Sequence, residues 1–148
     1  MAANTISLSS VSGTPQTEVE VVVSLDNSDA ISALEVMIPR GEQLQYVNNS
    51  AVLVSARSNG HSITAAQVAQ DLRIYVYSFS NTSIRGNSGA LLRFRLLLGN
   101  EPVSYTLTPS VVLSSAQGIS LAANAQAGQT TILAPKLQIL TEQIDYGH

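Results

Sequence analysis

The sequence predicts an all-β fold, an antiparallel β-sandwich of about nine short strands. Three observations carry that prediction. Apolar and polar residues alternate with a period of two through most of the 148 residues, which is the pattern of strands with one buried face. Clusters of Gly, Pro, Asn, Asp and Ser interrupt the alternation about every ten residues, the spacing typical of sandwiches and barrels. Charged residues make up 11% of the chain, against a usual share of roughly a quarter. Ser, Thr, Asn and Gln supply the polarity instead, which suits strands and turns better than salt-bridged helices.

The first strand is expected at Thr5 to Ser10, where Ile6 and Leu8 alternate with Thr5, Ser7 and Ser9 before the turn residues Ser12-Gly13-Thr14-Pro15. Glu18 to Leu25 is the cleanest half-buried strand: Val19, Val21, Val23 and Leu25 share one face, and Glu18, Glu20 and Ser24 the other. Asp26-Asn27-Ser28-Asp29 ends it. In Ile31 to Ile38, Leu34, Val36 and Ile38 point one way and Ala33, Glu35 and Met37 the other. Pro39 cannot donate to a ladder, so the strand stops or meets an edge there. Gln43 to Val47 and Ala51 to Arg57 read as further strands, and Ser58-Asn59-Gly60 as a hairpin turn with positive φ. His61 to Gln67 is expected as strand, although Ala65 to Gln70 also fits one helical turn.

Leu72 to Ser80 and Ala90 to Leu98 are two alternating runs flanking a loop with Asn81, Gly86, Asn87 and Gly89, and they read as two strands of one sheet. Gly99-Asn100-Glu101-Pro102 marks a tight connection into a hairpin, in which Val103, Tyr105 and Leu107 share parity, as do Val111 and Leu113. Pro109 between them suggests an edge or a bulge. Gln117-Gly118 ends that strand, Ala122 to Gly128 reads as a small-residue loop, and Thr130 to Leu133 as the last strand. Residues 4–134 thus form one domain. Lys136 to His148 differs in character, and 135–148 reads as a linker and the possible first strand of a following module, whose start resembles that of an immunoglobulin-like repeat, or else as the last strand of this domain.

Composition excludes several function classes. Seven Lys and Arg, unclustered in a chain of net charge −3, offer little to a nucleic-acid backbone. The absence of cysteine removes thiolate chemistry and Cys-based zinc sites. No apolar run approaches the roughly 20 residues that span a bilayer. Met1-Ala2-Ala3 lacks a charged segment leading into an apolar one, so an exported form would carry its signal peptide outside this sequence. The glycosylation-type triplets at Asn48 and Asn81 are short enough to arise by chance.

Catalysis is not expected. A Ser-His-Asp triad would have to use His61, because the other histidine is terminal, and there is no Gly-x-Ser-x-Gly elbow. His61 reads instead as an exposed or capping turn residue. Glu18 and Glu20 share a strand face without an apolar pocket to raise a carboxyl pKa, and read as a solvated face. Asp26, Asn27 and Asp29 carry calcium-type oxygens but lack the glycine and distal glutamate of an EF-hand loop, so Asx turns account for them more simply. Gly86 and Gly89 sit between strands and open no helix, which leaves no phosphate cradle. No cofactor is expected.

The run LRIYVYS, the glycine-containing connection SIRGNSGA and the run LLRFRLLL resemble the middle of cohesin domains, the modules that bind dockerins in bacterial cellulosomes. The resemblance extends to Glu18–Asp29, Ile31–Ile38 and Tyr105–Leu113, and so covers roughly residues 4 to 134. Each motif is common in β-sandwiches; their order and spacing carry the signal. The resemblance implies a jelly-roll topology and an extracellular or cell-surface modular protein, bacterial, with a dockerin-like or other surface protein as partner. One departure stands out. Many cohesins have an aromatic residue, an Asp and a Pro shortly after the third strand, where this chain has Pro39-Arg40-Gly41.

The candidate site is therefore a binding face. With Leu72, Ile74 and Val76 inward, Arg73, Tyr75, Tyr77 and Phe79 line the opposite side, and a cohesin-like arrangement turns Glu35 and Met37 the same way. Tyr, Arg and Met are enriched at protein interfaces. An alternative places Tyr75 and Tyr77 under a neighbouring loop. Two other functions fit a jelly roll: a carbohydrate-binding module with a polysaccharide partner, disfavoured by the absence of Trp with only 5 Tyr and 2 Phe, and a structural spacer.

Overall fold

The computed structural model describes residues 4–134. In chain order the strands are β1 (Asn4–Leu8), β2 (Val11–Gly13), β3 (Glu18–Asn27), β4 (Ala33–Pro39), β5 (Leu44–Tyr46), β6 (Val52–Leu53) and β7 (Ser62–Val68). They continue with β8 (Asp71–Tyr77), β9 (Ala90–Leu98), β10 (Val103–Leu107), β11 (Ser110–Ser114), β12 (Ser120–Leu121), β13 (Asn124–Gln126) and β14 (Gly128–Ile132). No helix occurs among the described residues. The strands build a jelly-roll sandwich of two main sheets, ordered β13-β1-β3-β9-β5 with β6 also on β9, and β12-β11-β4-β8-β7. A small third sheet, β10-β14-β2, prolongs the parallel β1–β13 pairing beyond a break.

The two main sheets close on the alternation that the sequence displays. Val21, Val23 and Leu25 of β3, Leu34, Val36 and Ile38 of β4, Leu72, Ile74 and Val76 of β8, and Leu92, Phe94, Leu96 and Leu98 of β9 are all buried in one core. Phe94 is the largest fully buried side chain, and Tyr46 leans on it with ring centroids 6.5 Å apart. Tyr46 keeps its hydroxyl satisfied by accepting from the Ala51 N–H at 3.1 Å, as a buried phenol requires.

Several expected elements are placed differently. Leu72–Ser80 and Ala90–Leu98 do not share a sheet: β8 pairs with β4 and β7, while β9 pairs with β3, β5 and β6. Alternation fixes which face of a strand is buried but not which sheet it joins, and the connection between β8 and β9 is long enough to cross the sandwich. Ala51–Arg57 contributes only Val52–Leu53 to a strand, because the chain turns at Val54, whose carbonyl accepts from the N–H groups of Arg57 and Ser58. The Ser58-Asn59-Gly60 turn then joins β6 to β7 in the other sheet and is not a hairpin, although Gly60 does have φ +77°.

The connection after β9 likewise leads to no hairpin between β10 and β11. β10 pairs with β14 and β11 with β4, so buried Pro109 marks a change of sheet. Within Ala122–Gly128, Asn124–Gln126 is a strand pairing parallel with β1. These changes of sheet and breaks raise the strand number to fourteen from about nine. The expectations for 135–148, as linker or as strand, lie outside the described residues.

Candidate docking face

The outer face of the β12-β11-β4-β8-β7 sheet gathers the residues singled out from the sequence. Register sets them in rows across the strands. Met37 of β4 is opposite Ser110 of β11 and Arg73 of β8; Glu35 is opposite Val112 and Tyr75; Ala33 is opposite Ser114. β7 completes the rows with Ala66 beside Arg73, Thr64 beside Tyr75 and Ser62 beside Tyr77. The parity follows from burial of Leu72, Ile74 and Val76 at 0–1% exposure, which forces Arg73, Tyr75 and Tyr77 outward. Arg73, Tyr75, Tyr77, Glu35 and Met37 therefore share one surface. Tyr75 is 40% exposed, so a covering loop does not describe it.

The centre of this face is depressed. Ala33 carries only a methyl group between Ser114 and Tyr77, and a groove of about 390 Å³ opens over it, walled by Glu35, Thr64, Tyr75, Tyr77 and Val112. Phe79, beyond the end of β8, is 88% exposed and meets Tyr77 edge to face, with centroids 5.3 Å apart and planes at 84°. Val112 (51%) adds apolar surface from β11. Val112 was not among the candidates, yet its signal was present: Val111 and Leu113 inward leave Val112 outward.

Electrostatics separates the two sheet faces. The outer face of β3 and β9 bears Glu18, Glu20, Arg93 and Arg95, with Arg95 Nε 3.1 Å from Glu18 Oε1. That is the one ion pair among the described residues. Glu35 and Arg73 occupy diagonal positions on the other face without pairing, and Arg73 Nε is enclosed without a hydrogen-bond partner. Neither charge is ion-paired among the described residues, so both act on an incoming group.

The remaining polar candidates are occupied by the fold. His61 accepts from the Asn59 N–H through Nδ1 at 3.3 Å, which leaves Nε2–H to donate to the Ser32 carbonyl at 2.9 Å, the work of a capping residue. Asp29 Oδ2 accepts from Asn4 Nδ2 at 2.8 Å, Asp26 Oδ1 from the Gly89 N–H at 3.2 Å, and Asn27 Oδ1 from Arg57 Nη2 at 2.7 Å. These are turn and clasp contacts, and among the described residues no three His, Asp or Glu side chains converge as a metal site would need.

Two arginines have roles that the sequence did not disclose. Arg57, 5% exposed, donates to the carbonyls of Leu25, Arg85, Ser88 and Gly89 and to Asn27 Oδ1, fastening the β8–β9 connection to the end of β3. Burial lowers its pKa from the ordinary value, opposed by the nearby Asp26 carboxylate. Arg40, in the departure noted after the third strand, is also buried and donates to the carbonyls of Gly41, Leu44 and Ala69. Its position serves the architecture of the β4–β5 connection, away from the groove over Ala33.

No protein-family model matches the chain, and no curated protein matches it. Solved structures do. A non-cellulosomal cohesin from the hyperthermophilic archaeon Archaeoglobus fulgidus superimposes with a TM-score of 0.74 at 16% identity, over 99% of each chain. The sixth cohesin of scaffoldin B from Acetivibrio cellulolyticus, solved in complex with a Cel5 dockerin, gives 0.72 at 15% identity over 88% of this chain and 99% of that one. A type I cohesin–dockerin complex from Clostridium thermocellum, OlpA with Doc918, gives 0.70 at 12% identity with the same coverage. The architecture built by these residues is the cohesin fold.

Proposed function

We propose that this chain is a non-catalytic, extracellular protein-binding module of the cohesin type, which docks a dockerin-like or other surface protein on the outer face of the β12-β11-β4-β8-β7 sheet. The observation that carries the reading is the surface itself: Tyr75, Phe79 and Val112 exposed and Tyr77 half-buried around a groove over Ala33, with Glu35 and Arg73 lacking ion-pair partners among the described residues. Apolar anchors with a few unpaired charges are what a specific interface requires. Similar solved structures include cohesins in complex with dockerins, and also one described as non-cellulosomal, so the partner class is kept to a protein of either kind.

The test is titration of the purified chain with a panel of dockerin modules in calcium-containing buffer, alongside cross-linking to surface proteins of the source organism. Saturable binding that maps to Tyr75 and Tyr77 supports the proposal. If the partner is a dockerin, chelator dissolves the complex, because the calcium belongs to the dockerin loops. Saturable binding on a glycan array with no protein partner would overturn the reading in favour of a carbohydrate-binding module. The 84° angle between Tyr77 and Phe79 speaks against that outcome, since a sugar-stacking platform needs coplanar rings.

A further inference from the structure

Among the described residues the sandwich has one long open edge. β7 pairs with β8 through seven consecutive positions, from Ser62 opposite Tyr77 to Val68 opposite Asp71, without a register break. Among the described residues it has no strand on its other side. In an antiparallel pair every second residue directs its N–H and C=O away from the partner strand, and among the described residues no backbone group of Ser62–Val68 bonds to anything beyond β8. Natural edges of this length are usually blocked by Lys, Pro, an inward-pointing charge or a bulge. Ser62-Ile63-Thr64-Ala65-Ala66-Gln67-Val68 has none of these. The other terminal strands are shorter: two residues in β12, three in β13, β5 and β2, and five in β10.

Beside this edge lies a second groove, of about 350 Å³. Ile63, Thr64 and Ala65 form one wall, and Tyr46, Asn49 and Ala51, from the β5–β6 region of the opposite sheet, form the other. At one end the Gln67 side chain crosses the gap, its Oε1 accepting from the Tyr46 N–H at 2.9 Å. The groove is thus an edge with a wall alongside and a stop at its end, and no charged residue lines it.

We infer that the β7 edge is a second binding site, which takes a single uncharged extended peptide segment as an added strand along Ser62–Ala66. Only an extended backbone presents donors and acceptors at the spacing of the open β7 groups. Alternate side chains of such a segment would enter the groove between Ile63 and Ala65 on one side and Tyr46, Asn49 and Ala51 on the other. Small or hydroxyl- and amide-bearing side chains fit its mixed lining, and a charged one would lose its hydration there without a counter-ion. The wall also selects against a second copy of this chain. A folded domain approaching through its own β7 brings its own Tyr46–Ala51 wall, whereas one segment slides between wall and edge. The inference stands apart from the proposed docking face, since Tyr75 and Tyr77 take no part in it.

The test is panning of a displayed library of unstructured peptides, restricted to Ser, Thr, Asn, Gln, Ala and Val, on the intact chain. The selected peptide is then mapped by amide chemical shifts and hydrogen exchange. The expected result is new protection confined to alternate amides of Ser62–Ala66. Binding should be lost in Ala65→Lys and weakened in Asn49→Asp, which adds a charge to the groove wall and keeps a side chain that tolerates the φ of +64° at that position. Binding should be retained in Tyr75→Ala/Tyr77→Ala, so that failure here and failure of the docking face are distinguishable. Failure to select any peptide, protection elsewhere, or indifference to Asn49→Asp in a variant that melts like wild type would overturn the inference. A concentration-dependent dimer that protects β7 would overturn it too, by assigning the edge to a second copy.

Discussion

Arg57 donates through Nη2 to Asn27 Oδ1 at 2.7 Å, a buried bond that joins the turn after β6 to the last residue of β3. The same guanidinium holds the carbonyls of Leu25, Arg85, Ser88 and Gly89, so one side chain closes the seam where the chain passes between the sheets. Replacing it with Met keeps the aliphatic stem and strands those acceptors. Arg57→Met is expected to destabilise the fold by about 2–4 kcal/mol, the range for removing a buried, charge-assisted hydrogen-bonding group. The shift of the urea midpoint at unchanged m-value measures it.

The same residue gives a pH dependence of defined sign. Burial lowers the Arg57 pKa in the folded chain, so in the strongly alkaline range the unfolded chain binds this proton more tightly than the native one. Stability attributable to Arg57 therefore rises with pH there. Below that range both states carry the charge and the slope is zero. Denaturation curves of wild type and Arg57→Met should differ by a constant at neutral pH, and the difference should grow in favour of wild type only as the solution becomes strongly alkaline.

Gly41 is required twice over. Its φ is +77°, and a Cβ built there would overlap the ring of Tyr105. Gly41→Ala should cost about 1–3 kcal/mol from backbone strain and displacement of the ring. Adding Tyr105→Ala should recover only the steric part, because the φ cost remains. A thermal-melt double-mutant cycle checks this.

Most of the core was legible in the sequence, and the wiring between strands was not. Alternation in Glu18–Leu25, Ile31–Ile38, Leu72–Val76 and Ala90–Leu98 identifies the buried residues because each strand has one face in water. Nothing in that pattern says whether β9 joins β8 or β3, since both neighbours bury the same kind of residue. The outward parity of Arg73, Tyr75 and Tyr77 was equally legible. The groove was not, because it arises where Ala33 and Ser114, paired in register, meet Tyr77 in one lining, a relation between distant segments. The clasping roles of Arg40 and Arg57 were hidden for a related reason: apart from Asn27 Oδ1, the partners are backbone carbonyls, which carry no sequence signature.

Phe94 tests the packing. It is fully buried between the sheets, and Phe94→Ala should cost about 3–5 kcal/mol through lost burial and the cavity left behind. Chemical denaturation would report the loss, and a cost under about 1 kcal/mol would show that the core collapses around the gap.

The isolated chain should melt at the same temperature with and without EDTA. Among its described residues the carboxylates of Asp26 and Asp29 are engaged by Gly89 and Asn4, and no acidic cluster faces a common point. A fall in melting temperature on chelation, reversed by calcium, would show a bound ion contributing to the fold.

The most direct test of the docking face is the double variant Tyr75→Ala/Tyr77→Ala, compared with wild type in thermal melting and in partner titration. The account predicts a melting temperature within about 2 °C of wild type, as for surface substitutions, together with loss of partner binding. A fall of more than about 8 °C would show the rings to be structural, and undiminished binding would place the interface elsewhere.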